Sequence, residues 1–129
     1  MGDISEHFSW HELESGDGVE MPPAVKAAIR DELVPALQQI RAVVARPMAI
    51  NSGYRSPAHN REVGGSKKSQ HVRGRAADIK IPPGMTSDSL ATLITNLIAY
   101  GAIPEGGVGL YHGRVHYDVR GKRARWDVR

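Results

Sequence analysis

The chain has 129 residues, 40% hydrophobic and 24% charged, and this ordinary globular composition excludes a disordered or low-complexity protein. Its length predicts a single domain over residues 1–129. The absence of cysteine excludes disulfides, thiolate zinc sites and cysteine nucleophiles, and no apolar run approaches the ~18–20 residues that a membrane span requires.

The net charge is +3 and the pI about 9.4, and much of the positive excess lies in the C-terminal stretch RGKRARWDVR. Such a stretch indicates either a solvated basic strand and tail or affinity for an anionic polymer, which could be nucleic acid or an acidic cell-wall polysaccharide. Charge alone does not separate these alternatives. One Phe and two Trp argue against an aromatic platform for single-stranded nucleic acid.

Residues 20–45, EMPPAVKAAIRDELVPALQQIRAVVA, predict a helical segment. Pro22 and Pro23 suit the first turn of a helix. Apolar residues then recur at helical spacing, at Leu33, Leu37, Ile40 and Val44. Pro35 removes a backbone hydrogen bond inside this run, so we expect two helical pieces rather than one.

The next segments alternate between strand and loop patterns. Residues 47–56, PMAINSGYRS, predict a short strand that runs into a glycine turn, and residues 57–69 predict a polar loop with room for one helical turn. Residues 76–81, AADIKI, alternate as a strand does and are followed by two prolines. Residues 87–100 predict a helix with one apolar stripe, and Gly101 occupies its C-cap position.

The C-terminal part predicts strands. Residues 107–119, GVGLYHGRVHYDV, read as a hairpin that turns at His112-Gly113, and RARWDV adds a last strand. Helices followed by mostly hairpin-type strands predict an α+β domain, in which a small antiparallel sheet has helices packed on one face.

Alternation gives two of these strands one apolar and one polar face. The apolar faces carry Ala77, Ile79, Ile81, Val115, Tyr117 and Val119, and the polar faces carry Asp78, Lys80, Arg114, His116 and Asp118. Because the amphipathic helices must cover the apolar face, the polar side chains form a second surface. His71 reaches that surface from the loop before the strand at residues 76–81.

Two imidazoles and one carboxylate, with a position left for water, make up a catalytic zinc set. On this surface His71 and His116 provide the imidazoles and Asp78 and Asp118 the carboxylates, and imidazole with carboxylate is the combination left when cysteine is absent. The alternative is that each side chain is simply solvated on the polar face of a strand. The sequence contains no HExxH helix motif that would decide between the two.

The stretches SGYRSPAHNREVGGSKKSQHVRGRAADI and VGLYHGRVHYDVRGKRARW resemble the M15 family of zinc D-alanyl-D-alanine peptidases, and within it the small phage- and bacterial-type murein peptidases. The similarity runs from about Asn51 to Trp126, and HFSWHEL near the N-terminus resembles the entry segment of that subgroup. The family signatures, Ser-x-His with x-x-Gly-x-Ala-x-Asp following and then His-x-Asp, are matched at Ser69, His71, Gly74, Ala76, Asp78, His116 and Asp118.

The resemblance implies a fold like that of Hedgehog domains and DD-peptidases, with one Zn²⁺ held by His71, Asp78 and His116. It also implies that Arg55 contacts the carboxylate or the scissile carbonyl of the substrate, as a guanidinium can through paired hydrogen bonds. Ser69 either hydrogen-bonds substrate, orients a zinc ligand, or caps the loop. Gly74 allows the tight turn that aims both ligands at one point.

One position departs from the family pattern. Many members place an acidic general base three residues before the last zinc histidine, and Gly113 stands there in this chain. Asp118 is the first candidate for the base, and its alternative roles are support of a zinc ligand or an ion pair with Arg120. Glu105 is a weaker candidate. The remaining histidines are expected to be structural or surface residues without a metal role: His7, His11, His59 and His112.

The resemblance implies a zinc peptidase that hydrolyses peptide bonds in peptidoglycan stem peptides, of D-Ala-D-Ala carboxypeptidase or endopeptidase type. The alternative is a non-catalytic zinc-containing cell-wall binding module of the same fold, since the Hedgehog signalling domain resembles these peptidases and keeps a zinc site. A basic nucleic-acid binder is a second alternative, which the arrangement of His and Asp residues does not support.

The resemblance also bears on partners and location. We expect a monomer with a peptidoglycan peptide as substrate, no specific nucleic-acid partner and no membrane span. The start MGDISEHFSW lacks the apolar region of a secretory signal. From the resemblance we expect action on the cell wall, in the periplasm or outside the cell. Export would then use another route, such as the release of a phage endolysin on lysis, or a leader has been removed.

Overall fold

The computed structural model describes residues 2–129, and its first half is helical. A 3₁₀ turn at Trp10–Leu13 is followed by α1 (Pro23–Ala28) and α2 (Val34–Val44), which are joined by a π-helical turn at Ile29–Leu33. The predicted break near Pro35 is thus a widened turn within one continuous helical stretch. The Val34 N–H donates to the carbonyl of Ile29, five residues earlier. This wider turn accommodates Pro35, which has no N–H to donate.

Two further helices follow. The predicted loop at residues 57–69 contains α3 (Pro57–Glu62), which begins where the Ser56 hydroxyl accepts a hydrogen bond from the His59 N–H at 3.1 Å. A 3₁₀ turn at Gln70–Arg73 leads into the central strands. The predicted helix after residue 86 is α4 (Ser87–Ala99), and Gly101 follows it with a φ of +76°.

The strands form one five-stranded sheet of order β1-β2-β4-β3-β5. Their bounds are β1 Ile50–Ser52, β2 Ala76–Lys80, β3 Gly107–Tyr111, β4 Arg114–Asp118 and β5 Ala124–Asp127. Neighbouring strands are antiparallel except β3 and β5, which run parallel. The expected α+β fold is confirmed, but the sheet is mixed rather than wholly antiparallel.

The parallel pair has a local cause in the short connection after β4. There the Gly121 N–H donates to the Glu105 carbonyl, and the Ala124 N–H donates to the Gly106 carbonyl. The chain therefore turns around the beginning of β3, so that β5 starts at the same end of the sheet and runs in the same direction.

The core lies between the helices and one face of the sheet. It includes Leu33, Leu37, Ile40, Leu90 and Ile94 from the helices, and Ala77, Ile79, Val115 and Tyr117 from β2 and β4. Because side chains alternate along a strand, Asp78 and His116 point to the opposite face, as predicted. Within residues 2–129, no helix is both long and apolar enough to cross a membrane.

Candidate metal centre

His71, Asp78 and His116 converge on the face of the sheet opposite the helices. Asp78 and His116 lie directly across from each other on β2 and β4, and His71 comes from the 3₁₀ turn that leads into β2. One ligand atom from each residue lies within 4.8 Å of the other two. The Asp78 Oδ1 is 3.4 Å from the His71 Nε2 and 3.3 Å from the His116 Nδ1.

These separations suit zinc. In a tetrahedral site with metal–ligand distances of about 2.0–2.1 Å, neighbouring ligand atoms are about 3.3–3.4 Å apart. Both separations measured from Asp78 have this length, and the donors are imidazole nitrogen and carboxylate oxygen, which zinc accepts. Three protein donors leave a fourth tetrahedral position, as in catalytic rather than structural zinc sites.

Hydrogen bonds fix which nitrogen of each imidazole is free. The His71 Nδ1 lies 2.8 Å from the Gly53 carbonyl, and the His116 Nε2 lies 2.6 Å from the Asp118 Oδ2. Since both partners are acceptors, these nitrogens carry the protons when the rings are neutral. The lone pairs are then on the His71 Nε2 and the His116 Nδ1, which are the atoms that face Asp78.

The three side chains are buried, and two carboxylates, Asp78 and Asp118, lie beside His116. Burial opposes ionisation of Asp78, but without a metal the hydrogen bonds that protonated His116 and His71 rings donate outweigh it and hold the Asp78 pKa far below its usual range. Burial lowers the pKa of His116, but hydrogen bonds to Asp118 and Asp78 raise it more, with a net upward shift. Two ionised carboxylates around His116 therefore favour a cation at this position.

Asp118 supports His116 from behind and has no exposed surface. Its Oδ1 accepts from the Gly107 N–H at 2.9 Å and the Arg120 Nε at 2.9 Å, and its Oδ2 accepts from His116 and from the Arg120 Nη2 at 2.7 Å. Asp118 forms the ion pair with Arg120 that was one of the two alternatives to a role as general base. These contacts favour an orienting role over that of general base, although the base assignment itself remains a prediction.

Two loop residues shape the approach to β2. The Ser69 hydroxyl accepts from the His71 N–H at 3.2 Å and so caps the 3₁₀ turn, while Ser69 also lines the cleft. Gly74 ends that turn with a φ of +71°, in the left-handed region. A Cβ there would lie 2.8 Å from the Val25 Cγ1 and 2.9 Å from the Val25 carbonyl oxygen, so both conformation and space require glycine.

Arg55 lies next to the three candidate metal ligands. Its Nη2 is 3.4 Å from the Asp78 Oδ2, its Nη1 is 3.2 Å from the Asn60 Oδ1, and its Nε is 3.4 Å from the Ser52 hydroxyl. Its backbone N–H also donates to the His71 carbonyl. The guanidinium is therefore held in place beside the site rather than in an ordinary surface ion pair.

The three ligands lie in a cleft of about 410 Å³. Its cationic lining residues are Arg55, Lys68, Arg114 and Arg120. In the described part of the chain, Asp78 is the one carboxylate that lines it. A cleft with this charge suits an anionic ligand.

Two aromatic side chains on this face, Tyr111 and Trp126, were not predicted to belong to the site. The Trp126 ring of β5 packs on the His116 ring with centroids 4.9 Å apart, and its Nε1–H donates to the Tyr111 hydroxyl at 2.9 Å. A Cβ at Gly109 would lie 2.3 Å from the indole. The signal available in the sequence was the pair of glycines in GVGLY, since Gly107 and Gly109 share the face of His116.

Other predicted candidates lie apart from the ligands. Glu105 pairs with Arg125 at 3.0 Å, and His112 is exposed in the hairpin turn. The other histidines make local contacts: His7 with Gln38, His11 with Glu14, and His59 with Glu62. None of these side chains lines the cleft among residues 2–129.

An α+β domain that brings two imidazoles and a carboxylate together at an accessible cleft has the donor set of a catalytic metal site. Residues 6–118 match the family model described as Peptidase M15, and the chain belongs to this family of metal-dependent peptidases. The resemblance drawn from the motifs is thereby confirmed for the family. No curated protein matches the chain. Trp126 and the rest of β5 lie outside the matched residues.

Proposed function

We propose that the protein is a zinc-dependent peptidase that hydrolyses peptide bonds in peptidoglycan stem peptides, as a carboxypeptidase or an endopeptidase. The observation that carries this proposal is the convergence of His71, Asp78 and His116 in a cationic cleft. Family membership supports the peptidase activity, and the cleft's charge supports a substrate with carboxylates, as stem peptides have.

In this proposal His71, Asp78 and His116 hold one Zn²⁺, which when bound supplies a Lewis acid that lowers the pKa of water and polarises a carbonyl. The Gly53 carbonyl and Asp118 keep the two imidazoles in the tautomers that ligation requires. Arg55, held beside Asp78, donates to the scissile carbonyl as negative charge develops on its oxygen.

We propose that Asp118 serves catalysis by orienting His116. Its oxygens already accept from His116, Arg120 and Gly107, and it has no exposed surface from which to take a proton from a substrate. Ser69 contributes by setting the turn that carries His71, and its position in the cleft also allows contact with substrate.

The location follows from the substrate. A peptidase of this kind acts on the cell wall, outside the cytoplasmic membrane, and a basic surface helps it to associate with anionic wall polymers. We propose that it works as a monomer in the manner of an endolysin.

The test combines metal analysis with digestion of purified peptidoglycan. The protein should contain one zinc per chain and release new amine termini, and a chelator should abolish this release until zinc is added back. His71→Ala should lose both zinc and activity, whereas His59→Ala, which changes a histidine outside the cleft, should retain both. A zinc-loaded protein that releases no amine termini would contradict the peptidase proposal.

A second candidate function is a zinc-containing module that binds the wall without cutting it. The observation that favours it is the cleft's lack of a carboxylate other than Asp78 within the described residues. It predicts stoichiometric zinc and co-sedimentation with peptidoglycan, with His71→Ala lowering the melting temperature and no hydrolysis by any variant.

A further inference from the structure

Arg114 stands on the same face of β4 as His116 and lines the cleft. It lies opposite Tyr111 across the hairpin turn, and its guanidinium carbon is 4.3 Å from the centroid of the Tyr111 ring. The Arg114 side chain is 40% exposed and lines the cleft, so part of it is accessible to a ligand there. Stacking of this kind holds a guanidinium in one orientation.

The Tyr111 ring is itself held in place. Its hydroxyl accepts from the Trp126 Nε1–H at 2.9 Å, and the Trp126 ring packs against the zinc-ligand candidate His116. The chain of contacts from His116 through Trp126 and Tyr111 therefore fixes the direction of Arg114 relative to the metal centre. Preorganisation of this kind reduces the entropy that is lost when a ligand binds.

The other arginines of the cleft already have protein partners. Arg120 donates to both oxygens of Asp118, and the three Arg55 nitrogens face Ser52, Asn60 and Asp78. The Arg114 Nε, in contrast, is buried without a hydrogen-bond partner in residues 2–129, and the Asp78 Oδ2 lies 3.9 Å away. Arg114 is thus the arginine of the cleft whose guanidinium makes no hydrogen bond within the described residues.

We propose that Arg114 is the residue that recognises a carboxylate of the substrate next to the bond that is cut. This inference rests on the proposed function. It gives the two arginines different roles: Arg55 donates to the scissile carbonyl, and Arg114 binds a carboxylate of the peptide. A planar guanidinium matches a carboxylate through two parallel hydrogen bonds. In a stem peptide that carboxylate is either the C-terminal one or the α-carboxylate of the γ-linked D-Glu.

The experiment uses the zinc-loaded protein and synthetic stem pentapeptides in two matched pairs. One pair compares a free C-terminus with a C-terminal amide, and the other compares D-Glu with its α-amide. Cleavage gives kcat and KM for each peptide, and calorimetry gives the dissociation constant for each. The variants are Arg114→Gln and Arg114→Lys, with Arg123→Gln as the matched control, because Arg123 is exposed and does not line the cleft.

We expect the wild-type protein to prefer one carboxylate peptide over its amide by about 10–100-fold, the range for a hydrogen-bonded charged group. Arg114→Gln should remove that preference, mainly through KM, and leave the amide peptide unaffected. Arg114→Lys should retain part of it, since one charge remains without the planar pair of donors. Arg123→Gln should retain all of it, and zinc content should be equal in every variant.

The two proposals fail in different ways. If Arg114→Gln keeps the carboxylate preference, or weakens both members of a pair equally, the role of Arg114 is overturned while the peptidase activity stands. If the wild-type protein cuts no peptide, the proposed function fails. The calorimetric carboxylate-to-amide ratio for wild type and Arg114→Gln then still decides whether Arg114 recognises the carboxylate.

Discussion

At the level of single residues, the candidate metal centre depends on groups outside the set of three proposed ligands. The imidazole of His116 is held by Asp118, which is held in turn by Arg120 and by the Gly107 N–H. A Cβ at Gly107 would lie 2.3 Å from the Asp118 Oδ2, so glycine there makes room for this carboxylate. The buried carboxylate of Asp118 thus serves to orient one proposed ligand, His116.

Asp118→Asn separates the two roles considered for Asp118. If Asp118 orients His116, the variant should bind zinc about 10–100-fold more weakly and recover most of its activity at saturating zinc. Competition with a chelating dye measures the zinc affinity, and peptide cleavage at saturating zinc measures the activity. Asp127→Asn, which changes an exposed carboxylate paired with Arg129, should alter neither. Unchanged zinc affinity with lost activity would instead identify Asp118 as the base.

A second carboxylate ties the N-terminal segment to the loop that carries Arg55. Asp17 accepts from the Ser15 hydroxyl at 2.6 Å and the Ser56 hydroxyl at 2.5 Å. Hydrogen bonds from Ser15 and Ser56 lower the Asp17 pKa from its ordinary 3.8 to about 2. Because the folded protein favours the ionised form, this carboxylate stabilises the fold fully above about pH 4, and the contribution is lost as pH falls toward 2.

Asp17→Asn should therefore lower the melting temperature at pH 7, with the difference from wild type narrowing as pH falls from 4 to 2.5. Thermal unfolding followed by circular dichroism at pH 7, 4, 3 and 2.5 measures this difference. If the difference in melting temperature between wild type and Asp17→Asn were the same at every pH, ionisation of Asp17 would not contribute to the stability of the fold.

At the level of elements, the turn between His71 and Asp78 determines whether two ligands meet. Gly74 and Gly64 both have a left-handed φ, of +71° and +70°. An added Cβ at Gly74 would collide with Val25, whereas nothing lies within 4 Å of one at Gly64. The two glycines therefore form a matched pair that isolates the cost of the collision from the cost of left-handed backbone.

Gly64→Ala should lower the free energy of unfolding by about 1–2 kcal/mol, the cost of left-handed backbone. Gly74→Ala should cost about 1–3 kcal/mol more and should also weaken zinc binding, because α1 and the turn are forced apart. Urea denaturation measures the stability, and dye competition measures the zinc affinity. Equal effects of the two substitutions would show that the contact with Val25 is easily relieved.

At the level of the whole molecule, the sheet divides the protein into a helix-covered apolar face and a polar face that bears the metal centre. The ligands come from two strands and a turn, so they meet only when the sheet is assembled. A cation bound to the folded chain should therefore stabilise the whole fold through linkage.

Zinc at about 100 times its dissociation constant should stabilise the fold by about 2.7 kcal/mol, which raises the melting temperature by about 10 °C for a domain of this size. Differential scanning calorimetry with zinc and with chelator measures this shift. His71→Ala should abolish it, and magnesium should not reproduce it because its preferred ligands are oxygens. A shift that persists in His71→Ala would place the zinc elsewhere.

Much of this protein could be predicted from local patterns. Strand alternation put Asp78 and His116 on one face, the apolar stripe of residues 87–100 predicted α4, and His112-Gly113 marked the turn between β3 and β4. The motif around Ser69 and Gly74 identified the family. These predictions succeeded because the periods of helices and strands and the backbone of glycine turns are properties of a few neighbouring residues.

Tertiary structure alone decided the rest. It placed β5 parallel to β3, packed Trp126 against His116, surrounded Asp118 with donors and left Arg114 without a hydrogen-bond partner for its Nε in the described residues. Each of these features joins residues that local periodicity does not relate, so it depends on which strands pair and in which register. The sequence by itself determined which donors the chain offers, and the folded sheet determined which of them remain available for a ligand.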